Sequence, residues 1–94
     1  MSMTSEVRDN EALRRFELET DAGTAYITYS KAGSALSLNH TDVPDALSGR
    51  GIGSALVKGT LELIGARKQK VLPQCSFVAA YLERHPEYQA LVKR

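Results

Sequence analysis

The chain has 94 residues, of which 43% are hydrophobic and 24% are charged. This length suits one domain that buries roughly 60–65% of the surface of its unfolded form, and the composition excludes disordered and fibrous proteins. The formal net charge is +1 and the 12 basic residues are spread along the sequence. That distribution argues against a nucleic-acid partner.

Cysteine content and hydropathy bear on the cellular compartment. The single cysteine, Cys75, has no partner for an internal disulfide, which is typical of a reducing compartment. No apolar stretch approaches the ~20 residues that cross a bilayer, and the polar residues 1–11 lack the apolar centre of a signal peptide. We therefore expect a cytoplasmic protein with no membrane partner.

The first half of the chain has the alternation of apolar and polar residues that is typical of strands. Residues 1–6 are expected to be disordered and residues 7–92 to form a single domain. Strands are predicted over residues 7–10, 13–20, 24–31 and 35–42. The loops between them are too short for a parallel crossover, so an antiparallel meander is predicted. In the last of these strands, Leu36, Leu38 and His40 are predicted to share one face.

The second half of the chain changes to helical spacing. A helix is predicted over residues 52–68, followed by a short strand at Val71 and Leu72 that lies parallel to the strand over residues 35–42. A second helix is predicted over residues 77–84, with Phe77, Ala80 and Tyr81 on one face, and it is expected to end at His85 and Pro86. One or two further turns are expected over residues 87–92.

A glycine-rich loop, Ser-Gly-Arg-Gly-Ile-Gly-Ser over residues 48–54, opens the first helix. Glycines allow close approach of a ligand, and free N–H groups at a helix start attract phosphate. A P-loop is excluded because no lysine and hydroxyl pair follows Gly53. The dinucleotide fingerprint fails because Ser54 occupies its third glycine position. A phosphate cradle of another kind and a simple tight turn both remain open.

The loop matches a third pattern, [QR]-x-x-G-x-[GA], with Gly51 and Gly53 at its glycine positions and Ser48 where glutamine or arginine is usual. Together with the strings over residues 38–44, 71–78 and 85–86, it resembles the GNAT superfamily of acetyltransferases, and within it a subfamily of small members. The resemblance covers residues 7–92. It implies an α+β (α/β) fold, in which antiparallel strands precede a helix, a parallel strand and a C-terminal helix.

The resemblance also implies a cofactor, acetyl-CoA or coenzyme A. Its pyrophosphate would bind the glycine loop, and its pantetheine arm would lie beside the end of the strand over residues 35–42. No metal site is implied. The cofactor-binding residues implied in this way are Thr41, Asp42, Val43, Ser48, Gly49, Arg50, Gly51, Ile52, Gly53 and Ser54. Ser48 is too short to contribute the long side chain of the superfamily pattern.

Transfer of an acetyl group to an amine needs a proton acceptor, a stabilised oxyanion and a proton for the leaving thiolate. The candidate catalytic residues are His40, Cys75 and Tyr81. An imidazole at His40 suits the amine proton, with a hydrogen-bonded structural role as the alternative. Three roles are open for Cys75: a proton donor to the thiolate of coenzyme A, a nucleophile that takes the acetyl group first, or a small buried hydrophobic residue. Tyr81 either protonates the thiolate or packs in the core.

The resemblance therefore implies an acetyl-CoA-dependent N-acetyltransferase that acts on a small-molecule or protein amine. The alternative is a non-catalytic module of the same fold that binds coenzyme A, acyl-CoA or a protein. We expect a monomer, with a dimer through the exposed edge of the first strand as the alternative.

Overall fold

The computed structural model describes residues 7–47 and 49–93. Residues 1–6, predicted to be disordered, and Ser48, predicted to bind cofactor, lie outside the described residues. The strands are β1 (Arg8–Asn10), β2 (Arg15–Thr20), β3 (Gly23–Ala32), β4 (Ala35–Asp42) and β5 (Lys70–Pro73). The α-helices are α1 (Ile52–Ala66) and α2 (Ser76–Arg84), and 3-10 turns occur at Asp45–Leu47 and Pro86–Leu91.

The strands described above form one sheet in the order β1-β2-β3-β4-β5. Neighbours from β1 to β4 pair antiparallel, and β4 pairs with β5 in parallel. The predicted meander and its parallel fifth strand are thus confirmed. The β2–β3 turn shows why the chain reverses there: the Thr20 hydroxyl accepts from the Ala22 amide at 3.1 Å and donates to the Gly23 carbonyl at 2.8 Å.

One face of the sheet is covered by α1 and α2, whose apolar side chains join a common core with the strands. Phe16 and Leu18 of β2 lie in this core, as the alternation predicts. The buried stripe of α1 consists of Leu56, Val57, Thr60, Leu61 and Ile64. Full burial of each of its aliphatic side chains, Leu56, Val57, Leu61 and Ile64, contributes about 1.5–3 kcal/mol, so the stripe fixes α1 against the sheet.

Helix α1 ends at Ala66, two residues before the predicted end at Lys68. Lys68 adopts a φ of 59°, in the left-handed region, which cannot continue a helix. Its amide donates to the Gly65 carbonyl at 3.0 Å, and the Gln69 amide donates to the Ile64 carbonyl at 3.1 Å. This pair of bonds is the Schellman arrangement, and a lysine here occupies the position that glycine usually takes.

Strand β4 contains a β-bulge. Leu38 lies opposite Tyr29 and His40 lies opposite Thr28, so Asn39 is an extra residue between two successive pairs. A bulge shifts the alternation of side chains by one residue beyond it. The inward and outward positions of β4 are therefore exchanged from His40 onward.

The bulge overturns the predicted orientation of His40. Thr41 lies opposite Ile27, a core residue, and so faces the helices together with Leu38. His40 lies opposite Thr28 and points to the other side of the sheet, which we call the outer face. The prediction that His40 shares a face with the leucines of β4 is wrong, because simple alternation does not anticipate the extra residue.

Of the three residues predicted to share one face of α2, only Tyr81 is buried. The buried residues of α2 are Val78, Tyr81 and Leu82, whereas Phe77 is 39% exposed and Ala80 is exposed. Val78 and Leu82 are four residues apart and lie on one side of the helix. This aliphatic pair, rather than the Phe77 side, packs into the core.

The short edge strand β1 is fixed by a buried carboxylate that sequence patterns did not reveal. The Tyr29 hydroxyl donates to Asp9 Oδ1 at 2.7 Å, and Arg67 Nη1 donates to Asp9 Oδ2 at 2.8 Å. The side chain of Asp9 is only 6% exposed. A buried carboxylate requires such partners, so the contact ties β1 to β3 and to the end of α1.

Candidate functional site

The candidate site lies at one edge of the sheet, where β4 and β5 end. The two strands are parallel, so their carboxyl ends meet at the same edge. Helix α1 follows β4 through the glycine loop, and α2 begins directly after β5. The N-termini of both helices therefore point to this edge, and each contributes positive dipole potential. In sheets with parallel strands, this is the edge where ligands bind.

The strands β4 and β5 separate at this edge. Their pairing extends from Ala35 opposite Lys70 to Leu38 opposite Pro73, whereas β4 continues to Asp42. The Cys75 amide donates to the Leu38 carbonyl at 2.9 Å and closes the paired part. Beyond that bond, residues 39–42 of β4 have no paired residue on β5.

The glycine loop holds its conformation through left-handed backbone. Gly49 has a φ of 83° and Gly51 a φ of 75°, values that side-chain-bearing residues rarely adopt. Gly51 caps α1, and its carbonyl accepts from the Ala55 amide at 3.0 Å. Within the described residues, no side chain caps this helix start. The N–H groups of residues 52–54 are those that a helix leaves without an intrahelical partner.

Gly53 is glycine for a different reason. A Cβ atom built there would lie 2.6 Å from Cζ of Phe77, closer than real Cβ contacts allow. The ring of Phe77 thus packs on the backbone of the first turn of α1. Through this contact, the first turns of α1 and α2 form one continuous surface beside the separated strands.

The chemically distinctive group at the site is the half-buried thiol of Cys75. Its sulfur lies 3.2 Å from the hydroxyl oxygen of Thr41, across the opening. Burial by itself raises the pKa of this thiol, but hydrogen bonding from the Thr41 hydroxyl and from the backbone N–H groups of Val78 and Phe77 outweighs it and lowers the pKa of Cys75. The start of α2 thus favours negative charge on sulfur.

The remaining candidates on β4 lie on different sides of the opening. Thr41 faces Cys75, whereas His40 is exposed on the outer face. Asp42 is also exposed and lies opposite Tyr26. The half-buried Val43 packs against the core. His40 therefore points to the outer face of the sheet. Thr41, the next residue along β4, contacts Cys75 on the side of the helices.

Tyr81 lies in a separate aromatic cluster toward the C-terminal end of α2. Its ring stacks on His85 with centroids 4.0 Å apart and tilts against Tyr88 at 6.1 Å. Burial, and then the charges of Glu87 and Glu62, raise the pKa of Tyr81. The structure brings Thr41 and Cys75 together and gives Tyr81 other neighbours, so its role as a proton donor stays a prediction.

The described residues of the glycine loop that are predicted to bind the cofactor are all at least partly accessible to solvent. Gly49, Arg50, Gly51 and Ser54 are exposed, and Ile52 and Gly53 are half-buried. Sequence patterns missed the bulge at Asn39 and the position of Phe77. No glycine or proline in the sequence indicates the bulge. For Phe77 a signal was present, because an aromatic residue two positions after the cysteine, at the start of a helix, lies close to the candidate site.

Two further observations concern residues 7–47 and 49–93. Within them, no helix is long and apolar enough to cross a bilayer. Within the same residues, no three histidine, cysteine, aspartate or glutamate side chains are grouped so that they could hold a metal ion.

A meander that ends in a parallel pair, with a glycine-opened helix packed beside the point where that pair separates, defines the GNAT-like fold. Comparison with known proteins agrees. A family model described as GCN5-related N-acetyl-transferase matches residues 15–91. The chain belongs to this family, which confirms the resemblance at the level of the family.

Individual relatives support the assignment. Protein NATD1 of Gallus gallus and that of Mus musculus are each 34% identical over 68 residues, which cover 71% of this chain and 62% of the relative. The matched segment thus spans less than two thirds of these relatives. The NMR structure of a GCN5-like protein of Staphylococcus aureus superposes with a TM-score of 0.72 and 28% identity, covering 98% of this chain and 91% of that one.

Proposed function

We propose that this protein is an acetyl-CoA-dependent N-acetyltransferase of the small GNAT subfamily. The observation that carries the proposal is that a glycine-opened helix start, which no described side chain caps, meets the Thr41–Cys75 pair at one edge of the sheet. A phosphate-binding element and a polarised thiol at one opening match two parts of an acyl-CoA molecule, the anionic pyrophosphate and the thioester.

The described residues fit such a cofactor. The backbone N–H groups of Gly49, Gly51, Gly53 and Ser54 would hold its pyrophosphate, since no atom beyond their chain neighbours lies within 4 Å of the Cβ positions of the left-handed Gly49 and Gly51. The backbone of residues 39–42, beyond the last pair with β5, would hold the amides of the pantetheine arm. The thioester supplies an activated acetyl group when the cofactor is bound.

His40 and Cys75 would divide the proton transfers between the two faces of β4. On the outer face, His40 would accept the proton that the amine loses as it forms the new C–N bond. On the helix side, Cys75 would donate its proton to the sulfur that leaves as the C–S bond breaks. Its lowered pKa makes it a stronger acid, and the Thr41 hydroxyl would stabilise the resulting thiolate. Solvent would then restore the proton of Cys75 and remove that of His40.

Acceptor-dependent release of coenzyme A tests the function. Acetyl-CoA is incubated with a panel of small-molecule amines and peptides bearing free amino groups, and new thiol is measured. Release that depends on an amine supports an acetyltransferase, and the amine that gives it identifies the acceptor class. Binding of acetyl-CoA without release by any amine would instead define a coenzyme A-binding module, in keeping with the position of Tyr81 away from Cys75.

A further inference from the structure

Phe77 combines two features that the proposed chemistry does not use. It is one of two large hydrophobic side chains exposed within the described residues, the other being Leu13. It is also held in place, because the tip of its ring packs directly on Gly53. An apolar ring that is fixed at the start of α2 and left open to solvent is available to pack against a ligand at this edge of the sheet.

The position of Phe77 links the two halves of the candidate site. Its backbone N–H helps to lower the pKa of Cys75, and its ring reaches the first turn of α1 at Gly53. One residue thus spans the interval between the thiol and the phosphate-binding loop. We expect a molecule that contacts both to lie beside the exposed side of this ring.

We propose that Phe77 is a specificity-determining residue whose ring forms the apolar wall for the pantetheine arm next to the thioester. The inference rests on the proposed function and deepens it. The methylene groups of that arm form no hydrogen bonds, so they bind by burial of apolar surface. Packing against an aromatic ring removes them from water. Gly53 serves the same wall, because any side chain there would displace the ring.

Binding of two probes to Phe77→Ala tests the inference. Coenzyme A carries adenosine, the pyrophosphate and the pantetheine arm, whereas ADP carries adenosine and the pyrophosphate without that arm. Loss of the wall should weaken coenzyme A binding roughly tenfold while ADP binding changes by less than about twofold. Phe77→Leu, which keeps an apolar side chain, should recover most of the loss. Leu13→Ala, at the other exposed hydrophobic residue, is the control and should bind both probes as the wild type does.

A second variant separates the loss of the apolar wall from a general folding defect. Gly53→Ala should weaken coenzyme A binding in the wild-type background by displacing the ring, and should add little in the Phe77→Ala background, where no ring remains. Unchanged coenzyme A binding by Phe77→Ala, or equal loss of both probes, would overturn the inference while leaving the proposed function intact. A wild-type protein that binds neither coenzyme A nor acetyl-CoA would overturn both.

Discussion

The hydroxyl oxygen of Thr41 lies 3.2 Å from the sulfur of Cys75, although the two residues are 34 positions apart in sequence. This contact crosses the opening between β4 and β5 and connects the end of one strand to the start of α2. It depends on the bulge at Asn39, since without the extra residue Thr41 would face outward. The ionisation of Cys75 and its role in turnover therefore both depend on this contact.

The reactivity of Cys75 should change when its hydroxyl partner is removed. Thr41→Val keeps the shape of the side chain and deletes the donor, so the pKa of Cys75 should rise toward its ordinary value. The pH dependence of alkylation by iodoacetamide reports this pKa, and its midpoint should move to higher pH. Thr28→Val, on the outer face opposite His40, is the matched control. Identical midpoints for Thr41→Val and wild type would rule out the polarising role of Thr41.

Turnover should depend on Cys75 more than cofactor binding does. If the thiol donates the proton to the leaving sulfur, Cys75→Ala should lower kcat by about 10²–10⁴-fold, the usual contribution of a positioned acid. Acetyl-CoA affinity should change little, because the proposed binding contacts come from backbone groups. Steady-state kinetics and calorimetry separate the two effects. Full turnover in Cys75→Ala would eliminate every catalytic role for this residue.

The backbone conformation of the glycine loop should matter for binding and not only for stability. Gly51→Ala places a side chain at a φ of 75° and should cost about 1–2 kcal/mol of unfolding free energy. Gly33→Ala, in the β3–β4 turn at a φ of 65° with no neighbour within 4 Å, should cost a similar amount. Urea unfolding measures both costs, and acetyl-CoA titration should reveal weaker binding only in Gly51→Ala. Equal binding by the two variants would contradict the role assigned to the loop.

The Asp9–Tyr29 contact should give a defined dependence of stability on pH. Burial, and then the hydrogen bond to Asp9 and its charge, raise the pKa of Tyr29 to about 12 from an ordinary value of 10.0. Because the folded state favours the neutral phenol, this stabilisation is complete below pH 10 and is lost as the pH rises through about 12.

Unfolding free energies of wild type and Tyr29→Phe test this dependence. The variant should lose about 1 kcal/mol near neutral pH, the typical value of one hydrogen bond. The difference between the proteins should shrink above pH 10. In Asp9→Asn, the high-pH part of the absorbance change on tyrosine ionisation, which reports Tyr29, should move to lower pH because the negative charge is gone. A difference between wild type and Tyr29→Phe that stays constant up to pH 12 would contradict the assignment.

Local patterns were enough to predict most of the fold. Alternation in β2 and helical spacing in α1 depend on which side of an element meets the core, and this is visible in a few consecutive residues. The position of Val71 followed from the handedness of a single crossover. The glycine loop could be placed at a helix start for the same reason, because turn and helix preferences are local.

The errors concern relations between distant elements. The bulge at Asn39 depends on how β4 matches β3, and a single extra residue leaves no mark in the local pattern. The orientation of α2 depends on the packing of Val78 and Leu82 in the common core, so the helical spacing of Phe77 and Tyr81 did not reveal that Phe77 is exposed. The Thr41–Cys75 contact combines both effects, and its two residues were recognised separately but not as a pair.

Amide chemical shifts during titration with acetyl-CoA test the central claim most directly. If the edge beyond β4 and β5 is the cofactor site, shifts should be concentrated at residues 49–54, at residues 39–43 and at the start of α2 from Cys75 to Phe77. The amide resonances of residues around the Asp9–Arg67 contact, at the other end of the sheet, should not shift. No shifts at millimolar acetyl-CoA, or shifts confined to residues outside these segments, would contradict the assignment of the site.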